Sequence, residues 1–467
     1  LRCPGKPVRT AVSSKTSSRN RMIQIGVPQP RTRALLARLF RSGLQAVDPY
    51  EAVRRQIGIG RRHLTIGSHQ YPLDEFKRIA VVGAGKASAR MAQALEQQVG
   101  PRIDTGVVVV KYGHGAQTKT IRIVEAGHPI PDAAGLQASR MVMALVKTLT
   151  ADDLLIVLLS GGASSLLPAP VSGIELHDKQ QTTKLLLRSG ATIHEINAVR
   201  KHLSSIKGGQ LAAATPARVA SVILSDVIGN DLGTIGSGPT APDPTTFQEA
   251  WEIVERYRVS KTIPASVRNR LKMGMKHRVA ETPKPRAALF RRVDNVLIGD
   301  NQAAVDAVAR AAQQQGLRTL ILSTTLTGEA KELAKIFGAM AREIAVHGRP
   351  IQRPCCIIAG GEPTVTIRGE GTGGRAQEFA LAAAPEIAGL PNMWVAGFAT
   401  DGTDGPTAVA GAVVDGQTVA RARRKHLDLS RALQDNDAYP FFQQLQGHII
   451  TGPTGTNVND LYLLLAL

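Results

Sequence analysis

The sequence predicts an α/β protein made of two doubly wound units that face each other across a cleft. Three observations predict it. Short apolar, often β-branched runs alternate with helical stretches through most of the 467 residues. That alternation breaks once, at a Pro- and Lys-containing stretch, and then restarts. Glycine-rich loops recur at the predicted carboxyl ends of strands, where open α/β sheets bind ligands.

Taken in order, residues 31–45 (RTRALLARLFRSGLQ) place Leu35, Leu36, Leu39 and Phe40 on one side of an amphipathic helix. A strand over 78–82, a helix over 86–98, a strand over 105–110 and a helix over 132–148 follow. Next come a strand over 154–159, a helix over 193–206 and a strand over 219–224. The linker is VAETPKPR, 279–286. After it the pattern resumes with strand 295–298, helix 302–314, strand 319–322, helix 329–345 and strands 355–359 and 393–398. The expected division is therefore a disordered basic extension over 1–30, an N-terminal unit over 31–278 and a C-terminal unit over 287–467.

Lys and Arg outnumber Asp and Glu by 57 to 37, a formal charge of +20. Ten of those cations lie before Asp48, the first acid, so about half of the excess sits in one tenth of the chain. The rest is only mildly basic, which suits polyanionic small molecules; no nucleic-acid partner is expected. Cys355 and Cys356 are adjacent, so on a strand they point to opposite faces. With Cys3 in the tail they make no zinc spacing, and a reducing, cytoplasmic compartment is expected. Residues 154–174 are uncharged but interrupted by Gly and Pro, so no membrane span is expected. The acid-free, Ser- and Arg-rich first 21 residues read as an organellar transit segment or as an extension ahead of a start at Met22.

Six loops carry the residue types that phosphate chemistry needs. Gly83, Gly85 and Lys86 turn a strand into a helix, whose free N–H groups and positive dipole end suit an anion. A dinucleotide fingerprint is the rival reading of this loop, with Asp104 about 20 residues on, but Ser88 replaces its third small residue. Ser160, Gly161, Gly162 and Ser164 let successive amides converge on an anion. On helix 193–206, Asn197, Lys201 and Ser204 share a face that Lys207 extends. Asp226 closes a strand, with Asp231 shortly after; Asp401 and Asp404 share a tight loop. Carboxylates so placed can hold a divalent ion or form Asx turns. Finally Gly373 and Gly374 precede Arg375 at a helix start, where a guanidinium can bind phosphate bidentately.

Together these loops closely resemble the type 2 glycerate kinases, the family with a C-terminal MOFRL domain. The likeness runs from about Thr32 onward. It is carried by LLIVLLSGGASSLLPAP, ATIHEINAVRKHLSSIKGGQLA, VILSDVIGNDLGTIGSGPT, GGEPTVTIRGEGTGGRAQEFAL, ATDGTDGPTAVAGAVVDG and GPTGTNVNDL. The resemblance implies two Rossmann-like domains about a deep cleft, and ATP with Mg²⁺ as phosphoryl donor. It also implies D-glycerate as acceptor and 2-phosphoglycerate as product. By position, Lys86 and Arg375 match the lysine and arginine proposed to serve catalysis in the family. Ala163, Ala376 and Ala408 stand where members often carry Gly, Asn and Asp. An NAD(P)H-dependent hydroxypyruvate reductase is the alternative enzyme reading. A homodimer is compatible with all of this.

Overall fold

The computed structural model describes residues 23–467, so the expected basic extension lies outside the described residues up to residue 22. From residue 23 that expectation fails. Ile23, Ile25 and Val27 are buried, and Gln24–Ile25 pairs antiparallel with Ile449 and Ile450 at the edge of a sheet.

Two large sheets organise the chain. In the first, six strands lie in the order Ile121–Ala126, Ile103–Lys111, Arg78–Ala84, Asp153–Leu159, Arg218–Leu224, Val293–Gly299, all parallel. Numbered along the chain this is 3-2-1-4-5-6, the Rossmann order. Helices cover both faces, which is why a strand such as DLLIVLL is apolar throughout and fully buried. The topological switch lies between Arg78–Ala84 and Asp153–Leu159. The loops that leave those two strands are the Lys86 and Ser160 loops.

The second sheet has seven strands in the order Gln24–Ile25, His448–Ile450, Gly411–Asp415, Met393–Ala399, Asp460–Ala466, Cys355–Gly361, Arg318–Leu326. Only the last two pair in parallel. Asp460–Ala466 runs antiparallel to both of its neighbours, in the sheet's interior. Two α/β units are thus present, but the second sheet is mixed. An apolar run such as LYLLLA reports burial and carries no information on strand direction. A small antiparallel meander, Ile57–Ile59, His63–Ile66 and His69–Pro72, was not anticipated.

The expected boundaries are crossed twice. Val293–Gly299, placed after the linker with the C-terminal unit, completes the first sheet beside Arg218–Leu224. Helix Pro30–Ala46, placed with the N-terminal unit, packs on the second: Phe40 stacks on Phe398 with ring centroids 4.4 Å apart, and Ser42 Oγ donates to the Ala307 carbonyl. Pairing between distant segments decides membership, and local pattern does not record it. One apolar cluster, from Leu36, Leu39 and Phe40 through Val81 and Ile156 to Val305, Phe398 and Leu461, joins the units along this seam.

Candidate active site

At the switch point the two loops of the first unit are laced together. The Lys86 amide donates to the Gly161 carbonyl at 2.8 Å, and the Ala87 amide to Ser160 Oγ at 3.0 Å. Ser160 Oγ also lies 3.0 Å from Ser88 Oγ, and Ser160 is buried. A Cβ on Gly85 would sit 2.1 Å from Ser160 Oγ, and one on Gly83 would sit 2.4 Å from the Leu158 carbonyl. Gly83, Gly85 and Ser160 therefore join the loops and do not face a ligand. The amides at the start of helix Ser88–Val99, expected to receive phosphate, are spent on protein. What the turn leaves free are the amides of Gly161 and Gly162 and the Lys86 ammonium, none of which has a hydrogen-bond or ion-pair partner among the described residues. Gly162 takes φ +89, and a Cβ there would meet the His128 ring at 2.9 Å. His128, not singled out in the sequence, thus abuts this turn. Burial, with Lys86 and Lys111 nearby, pushes its imidazole down to about 4.

Asp226 ends the neighbouring strand and lies against the same turn; a Cβ on Gly161 would fall 2.0 Å from its carboxylate. Burial raises its carboxyl to about 6, Lys86 opposes the rise, and Glu362 and Asp401 of the other unit add to it. Asn457 Nδ2, also from that unit, donates to Asp226 Oδ2 at 3.4 Å. Charges from both halves of the chain meet here.

Across the cleft, Arg375 opens helix Arg375–Glu386. Its Nε and Nη2 grip Asp460, and Nη1 donates to Glu362 at 3.0 Å. Burial alone would lower the guanidinium's pKa, but the Asp460 and Glu362 charges raise it above its usual value. Asp460 itself is pushed up to about 7 by burial, against the pull of Arg375. Three of the five guanidinium N–H bonds are used, and two remain. A Cβ on Gly374 would strike Asp404, and Gly405 packs on the Gly373 carbonyl, while the Gly373 and Gly374 amides have no hydrogen-bond partner among the described residues. Asp404 is buried and accepts the amides of Ala376 and Gln377 together with Gln377 Nε2. The Ala376 and Gln377 amides of this helix start are thus capped by the chain itself.

Of the four aspartates expected to bind metal, Asp404 is therefore a helix cap. Asp231 is exposed and closes an Asx turn with Gly233 and Thr234. Asp401 makes a similar turn with Thr403 but stays within electrostatic reach of Asp226. Among the described residues no group of three or more His, Cys, Asp or Glu is spaced to hold a metal ion.

The polar face expected on the third loop is rearranged. Lys201 pairs with the buried Asp243 at 3.4 Å. Lys207 is buried and donates to the carbonyls of Ser164 (2.7 Å) and Leu167 (3.2 Å). Both lysines hold loops. Ser164 Oγ lies 2.7 Å from Ser237 Oγ, which donates to Asn197 Oδ1 at 3.0 Å. Pairing between distant elements consumed the charges that sequence spacing had grouped.

A Rossmann-ordered sheet facing a second α/β unit, with free glycine amides, a free lysine and an acid-held arginine around one cleft, defines an α/β enzyme that handles anionic substrates. Comparison with known proteins makes this particular. Residues 35–272 match a domain of unknown function, DUF4147, and residues 355–460 match the MOFRL family. The chain is 41% identical over 91% of its length, and 95% of the relative's, to a glycerate 2-kinase of Pyrococcus horikoshii. It is 40% identical, over 93% of its length and 94% of the relative's, to a putative hydroxypyruvate reductase of Agrobacterium vitis. A crystal structure of glycerate kinase from Thermotoga maritima superposes with a TM-score of 0.84 at 37% identity, covering 94% of this chain and all of that one. The chain belongs to the type 2 glycerate kinase family with a C-terminal MOFRL domain.

Proposed function

We propose that this protein transfers the γ-phosphoryl group of ATP to D-glycerate, giving 2-phosphoglycerate. The observation that carries this reading is the meeting at Asp226. Lys86 reaches it from its own unit, while Glu362, Asp401 and Asn457 reach it from the other, and Glu362 holds Arg375. Phosphoryl transfer asks the protein chiefly for in-line positioning and for charge opposite the moving group. Lys86 and the amides of Gly161 and Gly162 supply one side of that charge. Arg375, aimed by Asp460 and Glu362, supplies its two remaining N–H bonds from the other. The continuous apolar seam makes closure a flexing of the cleft about one edge, which excludes water from the transfer.

Magnesium belongs to the same proposal. Mg²⁺ usually takes one or two carboxylates, several waters and substrate phosphates. Asp226, whose carboxyl the nearby Asp401 charge helps to raise, and Asp401 itself fit that modest donor set. When bound, the ion would offset the triphosphate charge. A cytosolic location and a homodimer complete the reading; no described helix is long and apolar enough to cross a membrane.

The reductase reading is disfavoured by two contacts. The amides that would cradle a dinucleotide pyrophosphate are bonded to Ser160 and Gly161. Asp104, the candidate ribose acid, accepts the Ile79 amide at 2.8 Å near the opposite end of the sheet. The test is a coupled ATP assay on D-glycerate with the product identified by ³¹P NMR. ATP-dependent formation of 2-phosphoglycerate is expected; NADH consumption with hydroxypyruvate and no phosphoryl transfer would sink the proposal.

A further inference from the structure

Beside the glycine turn lies a group of cations to which the proposed phosphoryl transfer gives no part. Lys207 donates to the Ser164 and Leu167 carbonyls, and Lys179 donates to the Pro168 carbonyl. Both lysines are buried. Arg200, on helix Ile193–His202, is close enough for its charge to act on both. None of the three has a carboxylate partner, and the Arg200 guanidinium makes no hydrogen bond, ion pair or ring contact among the described residues. Burial lowers its pKa to about 10, so an unpaired cation is held in poorly solvated surroundings.

One turn earlier on the same helix, Asn197 has its Oδ1 occupied by Ser237. Its Nδ2, which donates to no group among the described residues, is left as a donor although the residue is 4% exposed. Residues three apart share a helix face. A guanidinium fork and an amide NH₂ are therefore presented together, next to Ser164 and the Gly161–Gly162 turn. Neither the Arg200 nitrogens nor Asn197 Nδ2 is sealed from solvent, so an entering anion reaches both and gives them charge-assisted partners.

We infer that Arg200, assisted by Asn197, binds the carboxylate of the acceptor substrate, making it the residue that selects a hydroxy acid over an uncharged alcohol. This deepens the proposed function and rests on it. A planar anion, carboxylate or phosphate, would suit the fork. The carboxylate is the group still lacking a partner, because Lys86, Arg375 and the glycine amides serve the triphosphate.

Steady-state kinetics with D-glycerate and ATP varied in turn tests the assignment on wild type, Arg200→Met and Arg200→Lys. In Arg200→Met, KM for D-glycerate should rise on the order of 10- to 100-fold, the loss expected for charge-assisted hydrogen bonds. KM for ATP should hold within about twofold, as for a change that leaves the nucleotide contacts intact. Arg200→Lys, which keeps charge without the fork, should fall between. Thermal unfolding of each variant checks folding, and Arg200→Gln replaces any that fails to fold. An unchanged KM for glycerate, or a rise in KM for ATP alone, overturns the inference. A wild type inactive on glycerate overturns the proposed function instead; glycerate binding measured by calorimetry in wild type and Arg200→Met then decides this assignment separately.

Discussion

Asn457 of the C-terminal unit donates to Asp226 of the N-terminal unit at 3.4 Å, although 231 residues separate them along the chain. Through this contact and the Lys86, Glu362 and Asp401 charges around it, the two halves form a single electrostatic site.

Lys86→Ala and Arg375→Ala should each lower kcat by roughly 10²–10⁴, as expected when a donor to transition-state charge is lost. They should differ in stability. Removing Arg375 leaves Asp460 buried without its cation, a loss of roughly 3 kcal/mol or more, whereas among the described residues the Lys86 ammonium has no partner to strand. Coupled ATP assays and thermal melts on both variants check this. Near-normal turnover in both would remove the pair from the mechanism.

Gly161→Ala should displace Asp226, because the new Cβ would lie 2.0 Å from Oδ2. We expect at least about a tenfold loss in kcat, in line with misplacement of a positioned group. Gly58→Ala, where nothing lies within 4 Å of the added atom, should be kinetically silent. Equal kinetics for the two variants would contradict the tight packing at the turn.

Lys207→Met should act on the fold. The buried Leu167 carbonyl and the half-buried Ser164 carbonyl lose their donor, at a cost of roughly 1–3 kcal/mol for the buried acceptor left unmatched. Chemical denaturation measures the loss. Unchanged stability with a raised KM for ATP would return Lys207 to the ligand-binding set.

His128 sets a pH dependence with a definite sign. Its folded pKa, about 4, lies below the usual 6.5, so between those values the unfolded chain takes up a proton that the folded chain excludes. The contribution is complete above about pH 6.5 and is lost as pH falls through about 4, amounting to roughly 2–3 kcal/mol. His128→Gln should flatten that part of the stability–pH curve. A variant whose acid limb overlays that of wild type would show that the imidazole is not shielded.

Several features were legible in the sequence because their signal is local. Helix Pro30–Ala46 shows in its apolar spacing, and strands such as Asp153–Leu159 and Cys355–Gly361 in unbroken apolar runs. The loops that surround Asp226 stand where strands end. Arg200 was missed because a lysine and a histidine follow it on a helix whose cations all look alike in one dimension. Only its lack of a partner distinguishes it, and partners are tertiary facts.

By itself, then, the sequence determined the α/β class, the glycine-rich loops at strand ends and the family, since periodicity, turn chemistry and motif order are properties of contiguous residues. Tertiary structure alone decided which sheet owns Val293–Gly299 and Pro30–Ala46, and that the second sheet is mixed. It also decided that Ser160, Asp404, Lys201 and Lys207 are held by protein contacts, while the Lys86 and Arg200 cations take no partner among the described residues. Whether a polar group is spent or free depends on neighbours hundreds of residues away, which hydrogen bonding and burial select only once the chain has closed on itself.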